Sequence, residues 1–287
     1  MPIISKIRFD GVKQKYHLSP LRTQIKELYK QGLSSRKVSQ KINISHTRVL
    51  QLLKKENIIC RSITKIIPNK NYKKLTCNRA YLLGVMCGDG CVFLGKAHKQ
   101  RWDYNLYNVN LSVKDKDFID KFIQSIKCVY GVTPSLYYRD RNKLNKKWSN
   151  IWIAKLTRKE IYEDLSSYEF GTKNWQVPKE ILKSNNEKII GTFLRGFYDS
   201  EGSVLTGIRS FTITICSINH QGLSTIKKLL SRIKIKTSII SEDKRYHNST
   251  FYFSITKKEN IEIFLNKVGF SIKRKQNKIK QYLYDKK

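Results

Sequence analysis

Two hydrophobic patterns recur along the chain, and each occurs once in either half of the region beyond residue 77. Asn105, Tyr107, Val109, Leu111 and Val113 alternate with Leu106, Asn108, Asn110 and Ser112. Farther on, Phe211, Ile213 and Ile215 alternate with Ser210, Thr212, Thr214 and Cys216. A period of two predicts strands with one face on a core and the other turned to solvent or to a partner. Each strand region is followed by a stretch of helical period, 117–130 and then 221–233, whose leucines, isoleucines and phenylalanines are core positions. A second hairpin is expected after each helix. The first has a basic tip containing Arg139, Arg141, Lys143, Lys146 and Lys147, flanked by Tyr137, Tyr138 and Trp148. The second runs through Lys244 and Arg245 into Phe251, Tyr252 and Phe253. Such residues on a sheet face can contact both phosphates and base edges.

The segment before these repeats has only helical character. It predicts helices over 21–30, 35–42 and 46–56, with Ser34 or Ser35 capping the second and Ser45 the third. Ile25, Leu28, Leu33, Val38, Ile42, Ile44, Val49, Leu50 and Leu53 would fill one small core. The short turn through Asn43, Ile44 and Ser45 fits a helix-turn-helix, whose last helix enters the major groove by its N-terminal residues. His46, Thr47, Arg48 and Gln51 are then the candidate base readers, with Lys54 and Lys55 as phosphate contacts.

The strongest internal signal is a repeated apolar segment, LLGVMCGDG at 82–90 and LRGFYDSEG at 194–202. Asp89 and Glu201 lie 112 positions apart, as do Gly84 and Gly196, so the register holds across the block. Gly84 with Gly88, and Gly196 with Ser200, place small residues four apart on a helical face, which lets two helix backbones approach closely. Gly90 and Gly202 are expected in the left-handed conformation that stops a helix. The acid before each stop would then sit at a helix C-terminus, disfavoured by the macrodipole by roughly 0.3–1 kcal/mol. Two such acids about 4 Å apart would repel by about 4 kcal/mol at an effective dielectric near 20. That arrangement calls for a shared proton or a bound cation, and hard oxygen ligands with open positions favour Mg²⁺.

At these residues the chain resembles the LAGLIDADG homing endonucleases, the second segment more closely than the first. The resemblance spans roughly residues 75–287. One departure is Cys87, where the family pattern has its first aspartate and the second copy keeps Asp199. The resemblance implies an α+β fold of two pseudo-symmetric αββαββα halves forming a DNA-binding saddle, preceded here by the small all-α domain. It implies that Asp89 and Glu201 bind Mg²⁺ or Mn²⁺, with the adjoining Gly88 and Ser200 completing the candidate metal set. It also implies a lysine near the scissile phosphates after the second hairpin of each half, matched by Lys173 and Lys273. These two lie 100 positions apart, a slip of twelve that a longer first hairpin would explain. Lys275 joins the expected DNA contacts.

Composition agrees with a polyanion partner: 57 Lys and Arg against 22 Asp and Glu give a formal charge of +35. The chain contains no 18-residue apolar stretch and no apolar leader-like segment at residues 1–13, so an intracellular, non-membrane protein is expected. The six cysteines include no C-x-x-C pair, which removes zinc-finger spacing, and Cys87 and Cys91 read as small buried residues. Residues 61–76 hold a proline, five basic residues and no acid, the composition of a linker lying along phosphates. The expected organisation is therefore 1–60, a helix-turn-helix domain; 61–76, a basic linker; 77–187 and 188–287, the two halves. The expected function is site-specific, double-strand DNA cleavage by a pseudo-twofold monomer. A non-catalytic DNA-binding regulator and an RNA-binding intron maturase are the alternatives.

Overall fold

The computed structural model describes residues 18–31, 33–58, 67–99, 102–143, 145–171, 173–207, 210–245 and 249–284. The chain divides into two compact units, Met1–Ile63 and Thr64–Lys287. Parts of the expected linker (61–66) and of the second hairpin tip (246–248) lie outside the described residues.

In the first unit, helices α1 (Leu18–Lys30), α2 (Ser35–Ile42) and α3 (His46–Lys55) enclose Ile25, Leu28, Tyr29, Val38, Val49, Leu52 and Leu53. Ser34 and Ser45 cap α2 and α3, each accepting a hydrogen bond from the backbone N–H three residues on. Asn43 takes the left-handed conformation (φ 56°) that makes the turn between them so short. One core position differs from expectation. Leu52, not Leu50, is buried, because α3 presents residues 49, 52 and 53 on one face.

The second unit is built around two helices, α4 (Cys77–Cys87) and α8 (Glu187–Glu201). After α4 come β1 (Cys91–Lys99), β2 (Trp102–Val113), α5 (Lys116–Tyr130), β3 (Ser135–Arg139), β4 (Ile151–Thr157), α6 (Lys159–Ser166) and α7 (Lys179–Lys183). After α8 come β5 (Gly202–Thr206), β6 (Phe211–Ser217), α9 (His220–Arg232), β7 (Ser241–Asp243), β8 (Thr250–Ile255), α10 (Lys258–Lys267) and α11 (Lys273–Tyr284). The order β1-β2-β4-β3 in one antiparallel sheet recurs as β5-β6-β8-β7 in the other. Val109, Leu111, Ala154 and Leu156 turn one face of the first sheet to the core; Ile213, Ile215, Phe253 and Ile255 do so in the second. The twelve-residue slip is not all in one hairpin. Cys91 pairs with Asn110 and Ser203 with Thr214, so the spacing drops from 112 to 104 (214 − 110) across the longer β1–β2 hairpin. Lys155 matches Ser254, so it drops to 99 (254 − 155) across the β3–β4 turn.

Residues 67–76 are not a free linker. Ile67, Tyr72 and Leu75 pack on the core of the first half, and the Asn69 side chain donates to the carbonyls of Cys128 and Val129. Arg79 in α4 is buried and forms a two-pronged ion pair with Asp164 of α6 (2.9 and 3.2 Å), which also accepts from the Tyr130 hydroxyl. An unpaired charge at that depth would cost several kcal/mol, so these partners come as a set.

The glycines of α4 and α8 determine how closely those helices pack. A Cβ added at Gly84 would lie 2.1 Å from the Phe193 carbonyl oxygen, and one at Gly196 would lie 2.2 Å from that of Tyr81. The two contacts are related by the same spacing of 112. Gly90 and Gly202, by contrast, are not left-handed; Gly202 has φ −80°. They are held to glycine by crowding, since a Cβ there would meet Met86 at 2.5 Å or the Tyr198 carbonyl oxygen at 2.6 Å. The obstruction at Gly84 and Gly196 is backbone, which cannot rotate away. Gly84→Ala and Gly196→Ala should each lose about 2–3 kcal/mol of stability, measured by denaturant unfolding. Unchanged midpoints would mean that the helices do not touch there.

Candidate active site

Each motif helix delivers its acid at the point where the helix gives way to a strand. Asp89 lies in the turn from α4 into β1, and Glu201 is the last residue of α8, directly before β5. The helices are still in contact at this end, where a Cβ on Gly88 would sit 2.4 Å from Ser200 Cβ and 3.4 Å from Glu201 Cγ. Asp89 and Glu201 line one cavity of about 510 Å³, together with Gly88, Phe170, Gly171 and Cys216. Cys91, expected to be buried, is exposed and lines the same cavity, because it opens β1 on the sheet face away from the core.

The electrostatics are those of a crowded like-charge pair. Burial, and then repulsion from Asp89, push the Glu201 carboxyl up to about 7, with Lys275 opposing. Asp89 is exposed as a residue, yet desolvation by the protein packed around it raises its carboxyl, again against the pull of Lys275.

Lys275 is a correction to expectation. It is buried, so it is not a free phosphate contact. Its ammonium donates to the carbonyls of Gly202 (2.6 Å) and Asp199 (3.0 Å), with Tyr198 O at 3.5 Å. It thus satisfies the orphan carbonyls where α8 ends and places positive charge under the acids. Burial lowers its own proton affinity, offset in part by Asp199, Asp115 and Asp89. Asp199, noted in the sequence only as the motif aspartate kept in the second copy, has a structural role. Its carboxylate accepts from the Tyr81 hydroxyl across the helix pair (2.7 Å) and from Ser271 N–H (2.9 Å), tying both helices to the loop that carries Lys275. The only sequence signal for Lys275 was its place three residues into the helix that follows this loop.

The other candidates are placed as follows. The Lys173 and Lys273 side chains are exposed and neither lines the cavity; Lys273 donates its backbone N–H to Asp117 at the start of α5. Arg139, Lys146 and Lys147 are exposed at the first hairpin. Arg141 lies over the Trp148 ring at 5.0 Å, and Lys143 is 3.8 Å from Asp140. Lys244 and Arg245 are paired with Glu242 (3.4 Å) and Asp243 (2.6 Å), so much of their charge is balanced locally. In the first unit Thr47, Arg48 and Gln51 are exposed, while the His46 ring hydrogen-bonds the Ser35 hydroxyl at 2.9 Å.

The donor set fits a hard divalent cation. Two carboxylates with raised proton affinity face an open cavity, and among the described residues no cluster of three or more His, Cys, Asp or Glu side chains competes for a softer ion. Remaining positions would go to water, substrate oxygens and the backbone carbonyls at Gly88 and Ser200.

Residues 188–269 match the family model of a LAGLIDADG-like domain. An uncharacterized protein of Methanocaldococcus jannaschii is 28% identical over 277 residues, 90% of this chain and 91% of that protein. A DNA polymerase of Thermococcus kodakarensis is 23% identical over 76% of this chain but only 12% of its own length. Among solved structures, I-DmoI in complex with DNA and Mn has a TM-score of 0.49 at 18% identity, covering 68% of this chain and 97% of that one. Full-length DUF199/WhiA has a TM-score of 0.47 at 17% identity, covering 77% and 63%. Residues 188–269 are thus similar to LAGLIDADG-like domains, and the first half repeats the order of their elements.

The raised carboxyl gives a pH-dependent prediction. A Glu201 that titrates near 7 when folded and near its ordinary value when unfolded stabilises the metal-free protein at acidic pH. That contribution is lost as pH rises through about 7. Glu201→Gln should therefore raise the melting temperature of metal-free protein at pH 8 and leave it nearly unchanged at pH 4.5. A variant no more stable than the parent at pH 8 would contradict a crowded acid pair.

Proposed function

We propose that this chain is a site-specific DNA endonuclease that uses a divalent cation, Mg²⁺ or Mn²⁺, held by Asp89 and Glu201. The observation that carries the proposal is the convergence of these two acids in one cavity at the ends of two helices in backbone contact. A protein that only binds DNA gains nothing from two crowded carboxylates, whose mutual repulsion a bound cation relieves. A cation bound there would supply Lewis-acid activation and an ionised water for phosphodiester hydrolysis.

The chain's own residues then divide the work. Asp89 and Glu201 fix the position of the cation from opposite halves. Lys275 keeps both acids inclined to ionise and neutralises the end of α8. Lys173 and Lys273, exposed at the N-terminal side of equivalent segments, serve as phosphate contacts. The outer sheet faces take the DNA duplex, since Cys91 and Cys216 place those faces on the side where the acids open. The first unit adds a DNA contact of helix-turn-helix type, with α3 presenting Thr47, Arg48 and Gln51 and its end presenting Lys54 and Lys55. The formal charge of +35 supports a polyanion as the partner.

Asp89→Asn and Glu201→Gln should bind target DNA as the parent does and lose double-strand cleavage in Mg²⁺, scored on a plasmid library. Cutting by both variants would remove the metal assignment; absence of cutting by the parent, with specific binding intact, would favour the regulator reading. Log affinity should fall with log salt by about 0.9 per phosphate neutralised. A flat salt response would exclude nucleic acid.

A further inference from the structure

The two sheets have the same topology, so their outer faces can be compared position by position. In the first sheet one cross-strand row reads Cys91–Asn110–Lys155, and the matching row of the second reads Ser203–Thr214–Ser254. The next row places Phe93 and Asn108 where the second sheet has Leu205 and Thr212. At the far edge Arg139, opposite Ile151, is matched by Asp243, opposite Thr250. Lys155 and Arg139 are therefore replaced, one by a hydroxyl and one by a carboxylate. Among the described residues, the strands of the second sheet carry no lysine or arginine on their outer face; Arg245 lies just beyond β7 and is paired with Asp243.

The hydrogen-bonding capacity differs in the same way. Arg139 is exposed, and Lys155 is half-exposed in the middle of the sheet. Asn110, beside Lys155, has a carboxamide oxygen that is shielded yet without a partner among the described residues. Asp243 is held by Arg245, and the Ser254 hydroxyl donates to Thr214 (3.1 Å). What remains to face a ligand there is methyl and hydroxyl groups, the Cys216 thiol, the Tyr252 ring and Leu205, which is 55% exposed. Arginine and lysine recognise guanine O6 and N7, asparagine pairs with adenine, and apolar groups contact the thymine methyl.

Resting on the DNA-binding reading above, we propose that the two faces select half-sites of different base chemistry. The first takes a half-site with guanine at the positions reached by Arg139 and Lys155, and adenine at Asn110. The second takes an A·T-rich half-site through Leu205, Thr212 and Thr214, with no guanine contact from the sheet. At the matched rows the asymmetry lies in the side chains, since the backbone registers of the two sheets coincide there.

The test is a binding selection from a randomised duplex library with the full chain, which does not require cleavage. The expected result is guanine enriched in one half-site and A·T pairs in the other. Arg139→Ala with Lys155→Ala should relax guanine preference in the first half-site about tenfold or more and reduce the salt slope, leaving the second half-site unchanged. Asp243→Arg with Ser254→Lys should move the second half-site toward guanine. All four positions lie on an outer sheet face, which keeps these variants clear of the core. Guanine enriched in both half-sites, or a second half-site indifferent to the cation transplant, would overturn the proposal while leaving DNA binding intact. A library with no sequence enriched would overturn the DNA reading itself.

Discussion

The backbone contact between α4 and α8 is the constraint from which the rest of the second unit follows. With no Cβ at Gly84 or Gly196, the carbonyls of Phe193 and Tyr81 occupy the space that a side chain would need. Two helices packed on backbone have no flexible spacer between them, so their ends are fixed relative to one another. The acids stand at those ends and the first strand of each sheet begins within two residues of them. One packing decision therefore brings the carboxylates into a common cavity and turns both outer sheet faces to the same side.

Pseudo-symmetry governs the backbone and yields at the charges. The segments that follow α6 and α10, a loop in the first half and the start of α11 in the second, each cross to the opposite half. From the first half, Trp175 packs on Phe197, and its carbonyl accepts from Asn219 at the start of α9 (2.7 Å). From the second half, Arg274 makes a two-pronged ion pair with Asp115 at the start of α5 (2.7 and 2.8 Å). Counting 100 positions from the Phe170 and Phe270 pair, Trp175 stands where the other half has Lys275. Among the described residues, one buried ammonium therefore serves two acids. The repulsion between Asp89 and Glu201 is reduced by Lys275 but not cancelled, and this residual cost is what a cation can relieve. A site that is costly when empty and stabilised when filled favours the bound state.

Much of this was legible in the residues because local periodicity and the repeat are local facts. The alternation at 107–113 and 211–215, the helices at either side, the serine caps and the Asp89 and Glu201 pair are each set by near neighbours in sequence. The close approach of α4 and α8 was readable too, since only small residues four apart allow it. The pairings that escaped notice join distant positions. Arg79 meets Asp164 across 85 residues, Tyr81 meets Asp199 across 118, and Lys275 reaches Gly202 across 73. Nothing near Arg79 or Lys275 in the chain marks either as buried among so many exposed lysines and arginines.

The sequence by itself determined the α+β class, the two copies, their elements and the equivalent repeat positions of Asp89 and Glu201, because amphipathic period and repeat register are properties of neighbouring residues. The tertiary structure alone decided which lysine lies beneath the acids, why Gly90 and Gly202 must be glycine, and that Cys91 is open rather than buried. It also decided that Arg139 and Asp243 are counterparts. The reason is physical: burial, crowding and cross-strand register depend on which distant surfaces meet, and a list of neighbours does not contain that information.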